Sequence, residues 1–124
     1  MNTYHNYISE KERDKLCGIR DGHPYSWVDT ELFSAQPPEH QALIVDWIEN
    51  ELVPAKTKSN PISSNRLKAV LEKQLPDVDI SNNALKDALY QCGYEPVNVQ
   101  QFNWLFCIDR RKSPALVAAR KGHY

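Results

Sequence analysis

Five residues, "PDVDI" (76–80), separate two short helical patterns, and this spacing constrains the fold more than any other feature of the chain. Upstream, Ser63 or Ser64 can cap a helix that runs to about Leu75 and is stopped by Pro76. Its Leu67, Val70, Leu71 and Leu75 recur at three- and four-residue steps and face inward, while Arg66, Lys68, Lys73 and Gln74 face out. Downstream, "ISNNALKDALYQCGYEPVN" opens on Ser81 as a cap, with Ile80 placed to pack on Leu85 as a hydrophobic staple. Leu85, Ala88 and Leu89 give this second helix, expected over 82–92, a narrow inward stripe, and Cys92 and Gly93 close it. Two helices joined so tightly read as a helix-turn-helix.

The flanks extend the pattern. A helix is expected over 37–53, with Pro37 and Pro38 in the first turn, Glu39 complementing the N-terminus and Pro54 ending it. Leu43, Ile44, Trp47, Ile48 and Leu52 form its apolar stripe. Lys56 and Lys58 lie on a polar connector before an extended Pro61-Ile62-Ser63. After Gly93, the runs Tyr94–Asn98 and Phe102–Ile108 read as two strands of a hairpin turning near 99–101. Trp104, Phe106 and Ile108 alternate with Leu105 and Cys107 as in a half-buried strand, and Pro96 puts the first strand at an edge. At the N-terminus, Ser9, Glu12 and Gly18 bracket a short helix over 10–17. A loop follows in which Tyr25, Trp27, Leu32 and Phe33 look like anchors on the core. The organisation expected is an N-terminal extension packed on the core (1–35), a central domain (36–109) and a basic, weakly structured tail (110–124).

Composition narrows the function classes. With 41% apolar and a quarter charged residues in 124, the chain can build one compact core. No apolar run approaches the roughly 20 residues of a membrane helix, and the first residues do not resemble a signal peptide, so a cytoplasmic location is expected. Three cysteines, odd in number and far apart, suggest reduced thiols rather than a disulfide framework. The scattered His5, His23, His40 and His123 make no metal-binding spacing, and no metal or other cofactor is expected. Isolated glycines offer no phosphate-cradling loop, and no nucleophile elbow organises Ser, His and Asp. Cys17 and His23 read as a packing cysteine and a turn histidine rather than a nucleophile and base. The chain reads as a binding protein, not an enzyme.

Charge then divides it. Residues 1–57 hold 5 Lys+Arg against 10 Asp+Glu, and residues 58–124 hold 10 against 6, so only the back half attracts phosphate. On the helix after Ser81, Asn82, Asn83, Lys86 and Tyr90 share a polar face. Asparagine can read an adenine edge, although near a cap it also serves as a local hydrogen-bonder. The single lysine of that helix is opposed by Asp87.

The order helix, extended segment, helix, tight turn, helix, hairpin is that of a winged helix-turn-helix: an α+β, mostly helical fold with a C-terminal β-hairpin, here carrying an N-terminal helical and loop extension. On "ISSNRLKAVLEKQL", "ISNNALKDALYQCGYEPVN" and "NWLFCI", residues 58–109 resemble the small winged-helix module near the C-terminus of primase-helicases of phages and plasmids. They also resemble small proteins carried by bacteriophages and integrative elements. The resemblance implies a mobile-element setting in a bacterial host cell. Two functions follow as expectations. One is a small DNA-binding accessory or regulatory protein, meeting DNA or a nucleic-acid-associated complex, where a homodimer is an allowed form. Its contacts would be Arg66, Lys68, Asn82, Asn83, Lys86 and Tyr90, with Arg110, Arg111 and Lys112 on phosphates. The other is a scaffold for protein binding, such as an anti-CRISPR-type inhibitor of a host defence nuclease. Its acidic front of Glu10, Glu12, Asp14, Asp21, Asp29 and Glu31 would occupy a partner's basic groove.

Overall fold

The structure, a computed structural model, describes residues 31–58, 60–98 and 103–121. The helix expected over 10–17, the anchors Tyr25 and Trp27, and the turn expected near 99–101 lie outside them. Among the described residues the fold is α+β and mostly helical. A 3-10 turn, Phe33–Ala35, leads into α1, Pro38–Glu51. Then come β1, Ile62–Ser63; α2, Ser64–Gln74; α3, Asn82–Gln91; β2, Leu105–Phe106; and α4, Pro114–Arg120.

Local chemistry explains where the helices begin and end. Ser63 Oγ accepts from the Arg66 amide, and Ser81 Oγ from the Ala84 amide, so each hydroxyl satisfies an amide that the helix cannot. α3 ends in a Schellman arrangement: the Tyr94 amide reaches Leu89 O and the Gly93 amide reaches Tyr90 O. Gly93 takes φ +97°, a backbone region that side-chain-bearing residues avoid. Tyr94, the residue after the glycine, is buried beside Leu89 in the core, and burial pushes its phenol up to about 12.

The sheet is small and centred on the segment around β2. β1 pairs antiparallel with β2, Ile62 opposite Phe106 and Ser63 opposite Leu105. Pro54 bridges Ile108, and the Ser64 amide donates to Trp104 O at 2.7 Å. On the other edge, among the described residues, the expected hairpin shows one bridge, Pro96 to Phe106, with the Val97 amide on Leu105 O. Pro96 has no N–H for a ladder, which limits pairing on that side. The expected alternation holds: Trp104, Phe106 and Ile108 are buried, whereas Leu105 and Cys107 are half-exposed.

One core joins all the elements. Ile44, Trp47 and Ile48 of α1 meet Leu67 and Leu71 of α2, Leu85 and Leu89 of α3, Trp104 and Phe106. Leu43, expected on the inner stripe of α1, is instead 44% exposed, because the buried face is centred on Ile44 and Ile48. A polar bridge ties three helices: Trp47 Nε1 donates to Gln74 Oε1, and Gln74 Nε2 donates to Ala115 O. The segment after Asp109 is not weakly structured; Ser113 is buried, Pro114 takes the first position of α4, and Ala115 and Leu116 enter the core. Ser113 Oγ donates to Asp109 O and accepts from the Val53 amide, which fastens α4 to the end of α1. Cys107 is a free thiol. No helix among the described residues is long and apolar enough to cross a membrane.

Candidate functional site

The helix expected to meet a ligand is covered. From Asn82 to Leu89 every residue of α3 is buried, including Asn82, Asn83 and Lys86, which the sequence placed on an outer face. The cover is the segment Glu31–Ala35, packed along α3 from far away in the chain. Asp87 Oδ2 accepts the Phe33 amide at 2.8 Å, and Asn83 Nδ2 donates to Glu31 O at 2.9 Å. Phe33, with 1% exposure, is sunk in the core, so this cover is part of the fold. Asn82 Nδ2 donates to Asn103 Oδ1. The Lys86 ammonium lies 5.1 Å from the centre of the Trp104 ring, a cation–π contact shielded from water. Asn82 and Asn83, expected to read base edges, and Lys86, expected on phosphate, are therefore buried within the fold and not on its surface. Tyr90 is the exposed member of the set, its ring in a T-shaped contact with Trp104.

The remaining candidates divide. Lys68 is occupied by Glu72, one turn on in α2, at 3.0 Å. Arg66, Arg110 and Arg111 are exposed, and Arg110 lines one pocket with Arg66, far from it in sequence, and a second with Arg111. Arg66 and Val70 lie one turn apart on α2, Ile62 precedes them on β1, and α4 supplies Leu116, Ala119 and Arg120 to the same lining. These residues and Arg110 line a pocket of about 140 Å³ with arginines around an apolar floor. A wider neighbouring pocket of about 390 Å³ is lined by Ala55, Lys56, Thr57, Asn60, Ile108, Asp109, Arg110 and Arg111. Arg110 belongs to both. Its Nη2 donates to Pro61 O at 3.0 Å, which holds the guanidinium between the two.

The turn that presents these cations is set by Asp109. Its Oδ1 accepts the amides of Arg111 and Lys112, each at 3.0 Å. Those amides, Lys112 first, together with the nearby Lys112 and Arg111 charges, hold the carboxyl below its usual range. The turn's acceptor therefore keeps its charge to lower pH than an isolated aspartate does. Among the described residues none of Lys56, Arg66, Arg110, Arg111 and Arg120 forms an ion pair, and no carboxylate lines the smaller pocket. Arg120 was missed in the sequence. Its signal was the i, i+4 spacing from Leu116 on a helix opened by Ser113-Pro114. Lys112 is exposed beside this rim without lining either pocket.

Of the acidic front, Glu10, Glu12, Asp14, Asp21 and Asp29 lie outside the described residues. Glu31 is engaged within the fold, its carboxylate accepting from Gln36 Nε2 and the Ser81 amide, each at 3.4 Å. No group of three or more His, Cys, Asp or Glu able to hold a metal ion occurs among the described residues. No model of a protein family, no curated protein and no solved structure matches this chain.

Proposed function

We propose that this chain is a small winged-helix nucleic-acid-binding protein whose contact surface is the basic rim around Arg110, not the face of α3. The observation that carries the reading is Arg110 itself: shared by two adjoining pockets, it joins Lys56, Arg66, Arg111 and Arg120 into one stripe in which five cations face a single carboxylate, Asp109. Arginine and lysine without carboxylate partners are suited to phosphate oxygens, and phosphate contacts supply most of non-specific DNA affinity. The order helix, strand, helix, helix, edge segment, strand supports the winged helix. The role that fits is a DNA-binding accessory or regulatory protein of a phage or integrative element.

Fluorescence anisotropy on a DNA duplex across a salt series tests this. Affinity should fall steeply with salt, and Arg110→Glu should reduce both the affinity and the salt slope, the slope by about 1 for each phosphate no longer neutralised. Lys86→Met should leave binding unchanged, because that ammonium is enclosed. No DNA retention at low salt would remove the nucleic-acid reading. The protein-binding scaffold, acting through the acidic front, would then be pursued by pull-down with and without nuclease.

A further inference from the structure

The smaller pocket is more than a stretch of the basic stripe. A surface that follows a continuous phosphate backbone can be flat, whereas Arg66, Arg110 and Arg120 surround a concavity with Ile62, Val70, Leu116 and Ala119 as walls and floor. Three guanidinium groups around one hollow repel one another, and no carboxylate in the lining relieves them. Arg66 adds a second conflict. It sits in the first turn of the 11-residue α2, where the helix dipole disfavours a cation, and that turn holds no acidic residue. An anion in the pocket would relieve both. The volume, about 140 Å³, is close to that of a cavity that holds a single aromatic ring, so a compact anion on a small apolar body is what fits.

We infer that the Arg66–Arg110–Arg120 pocket receives the terminal phosphate monoester of a nucleic-acid strand. A strand end can enter a narrow surface hollow of about 140 Å³ more deeply than an internal phosphodiester, which is tethered on both sides. A terminal phosphate carries about −1.5 to −2 charges at neutral pH, against one for an internal diester, and so answers three guanidiniums better. Its three free oxygens accept bidentate donation, and the edge of the attached sugar meets the apolar floor. The inference rests on the nucleic-acid-binding reading and specifies which part of the ligand this pocket takes.

Anisotropy with short single-stranded oligonucleotides separates the two claims. The strands carry a 5′-phosphate, a 3′-phosphate or hydroxyls at both ends, the last lengthened to equal net charge. At least one phosphorylated strand should bind about tenfold or more tightly than the hydroxyl-ended one, a difference of roughly 1.4 kcal/mol. Arg120→Gln and Arg66→Gln should abolish that preference while leaving the far-UV circular dichroism unchanged. Arg111→Gln, which touches only the wider pocket, should weaken all strands alike. Equal affinity for all strands, still reduced by Arg111→Gln, would overturn the end site and leave the binding stripe intact. Absence of binding to every strand would overturn both. Inorganic phosphate should erase the preference only in large excess; a free mononucleotide bound as tightly as the strand end would overturn the assignment to a strand.

Discussion

The polar face of α3 and the rim around Arg110 draw on the same kinds of side chain, yet the fold uses them in opposite ways. On α3, Asn83, Lys86 and Asp87 are fully buried; around Arg110, every cation of the stripe is exposed. Distance in the chain separates the two outcomes. α3 is covered by a segment about fifty residues upstream, whose main-chain N–H and C=O need side-chain partners. Asn83 and Asp87 supply those partners, so polarity there serves to attach a loop. The stripe is assembled from the α1–β1 connector, α2, the Asp109 turn and α4; among the described residues none of its arginines forms an ion pair, and Asp109 is the one carboxylate in the two linings. Side-chain type alone does not mark a binding surface; the test is whether the fold has already used the hydrogen-bonding capacity.

Substitutions on the two surfaces test this contrast. The largest effect belongs beneath α3. Trp104, with 1% exposure, packs edge-on against Tyr90 and Phe106 and underlies Lys86, so Trp104→Ala should cost about 3–5 kcal/mol. Against a total stability of about 5–15 kcal/mol, a chemical-denaturation curve should show a fold near collapse. Next comes the clamp itself. Asp87→Ala removes the charged acceptor of the Phe33 amide and should lower stability by about 1.5–3 kcal/mol. If the denaturation midpoint does not move, the segment is not held on α3 in solution, and Asn82, Asn83 and Lys86 return as ligand contacts. At the end of α3, Gly93→Ala should cost about 1–2 kcal/mol through backbone strain, since an added methyl would meet nothing within 4 Å. Smallest is the rim: Arg120→Gln should change stability by less than about 0.5 kcal/mol, because the side chain is exposed and forms no described ion pair. A larger loss would make Arg120 a structural residue and weaken the case for a site.

Much of the scaffold was readable from local chemistry. Ser63 and Ser81 mark the starts of α2 and α3 because their hydroxyls cap amides three residues on, and Gly93 marks a stop because of its φ. The alternation through Trp104 and Ile108 forecast which side of that segment is buried. α4 was also written in the sequence, at Ser113-Pro114, but its flanking Arg110–Lys112 and Arg120 made it look like a solvated tail. The candidate site was less readable. Burial of Lys86 depends on Trp104 and on a loop near Phe33, neither of which any helical period can see. Arg66 and Arg110 were named from sequence, but their meeting with Arg120 required the packing of α4 across α2.

The central position of the Trp104–Asp109 segment governs when this protein can fold. Its partners, Val53–Ala55, Ile62–Ser63 and Pro96–Val97, are all synthesised before it, and β1 has no other described strand to pair with. On the ribosome, at about 5–20 residues per second, Ile62 waits several seconds for Phe106 to be made. During that interval α1, α2 and α3 can form only as separate, partly apolar helices, each too short to be stable alone. A nascent chain halted before Trp104 should therefore expose the apolar faces that Trp104, Phe106 and Ile108 cover in the finished core.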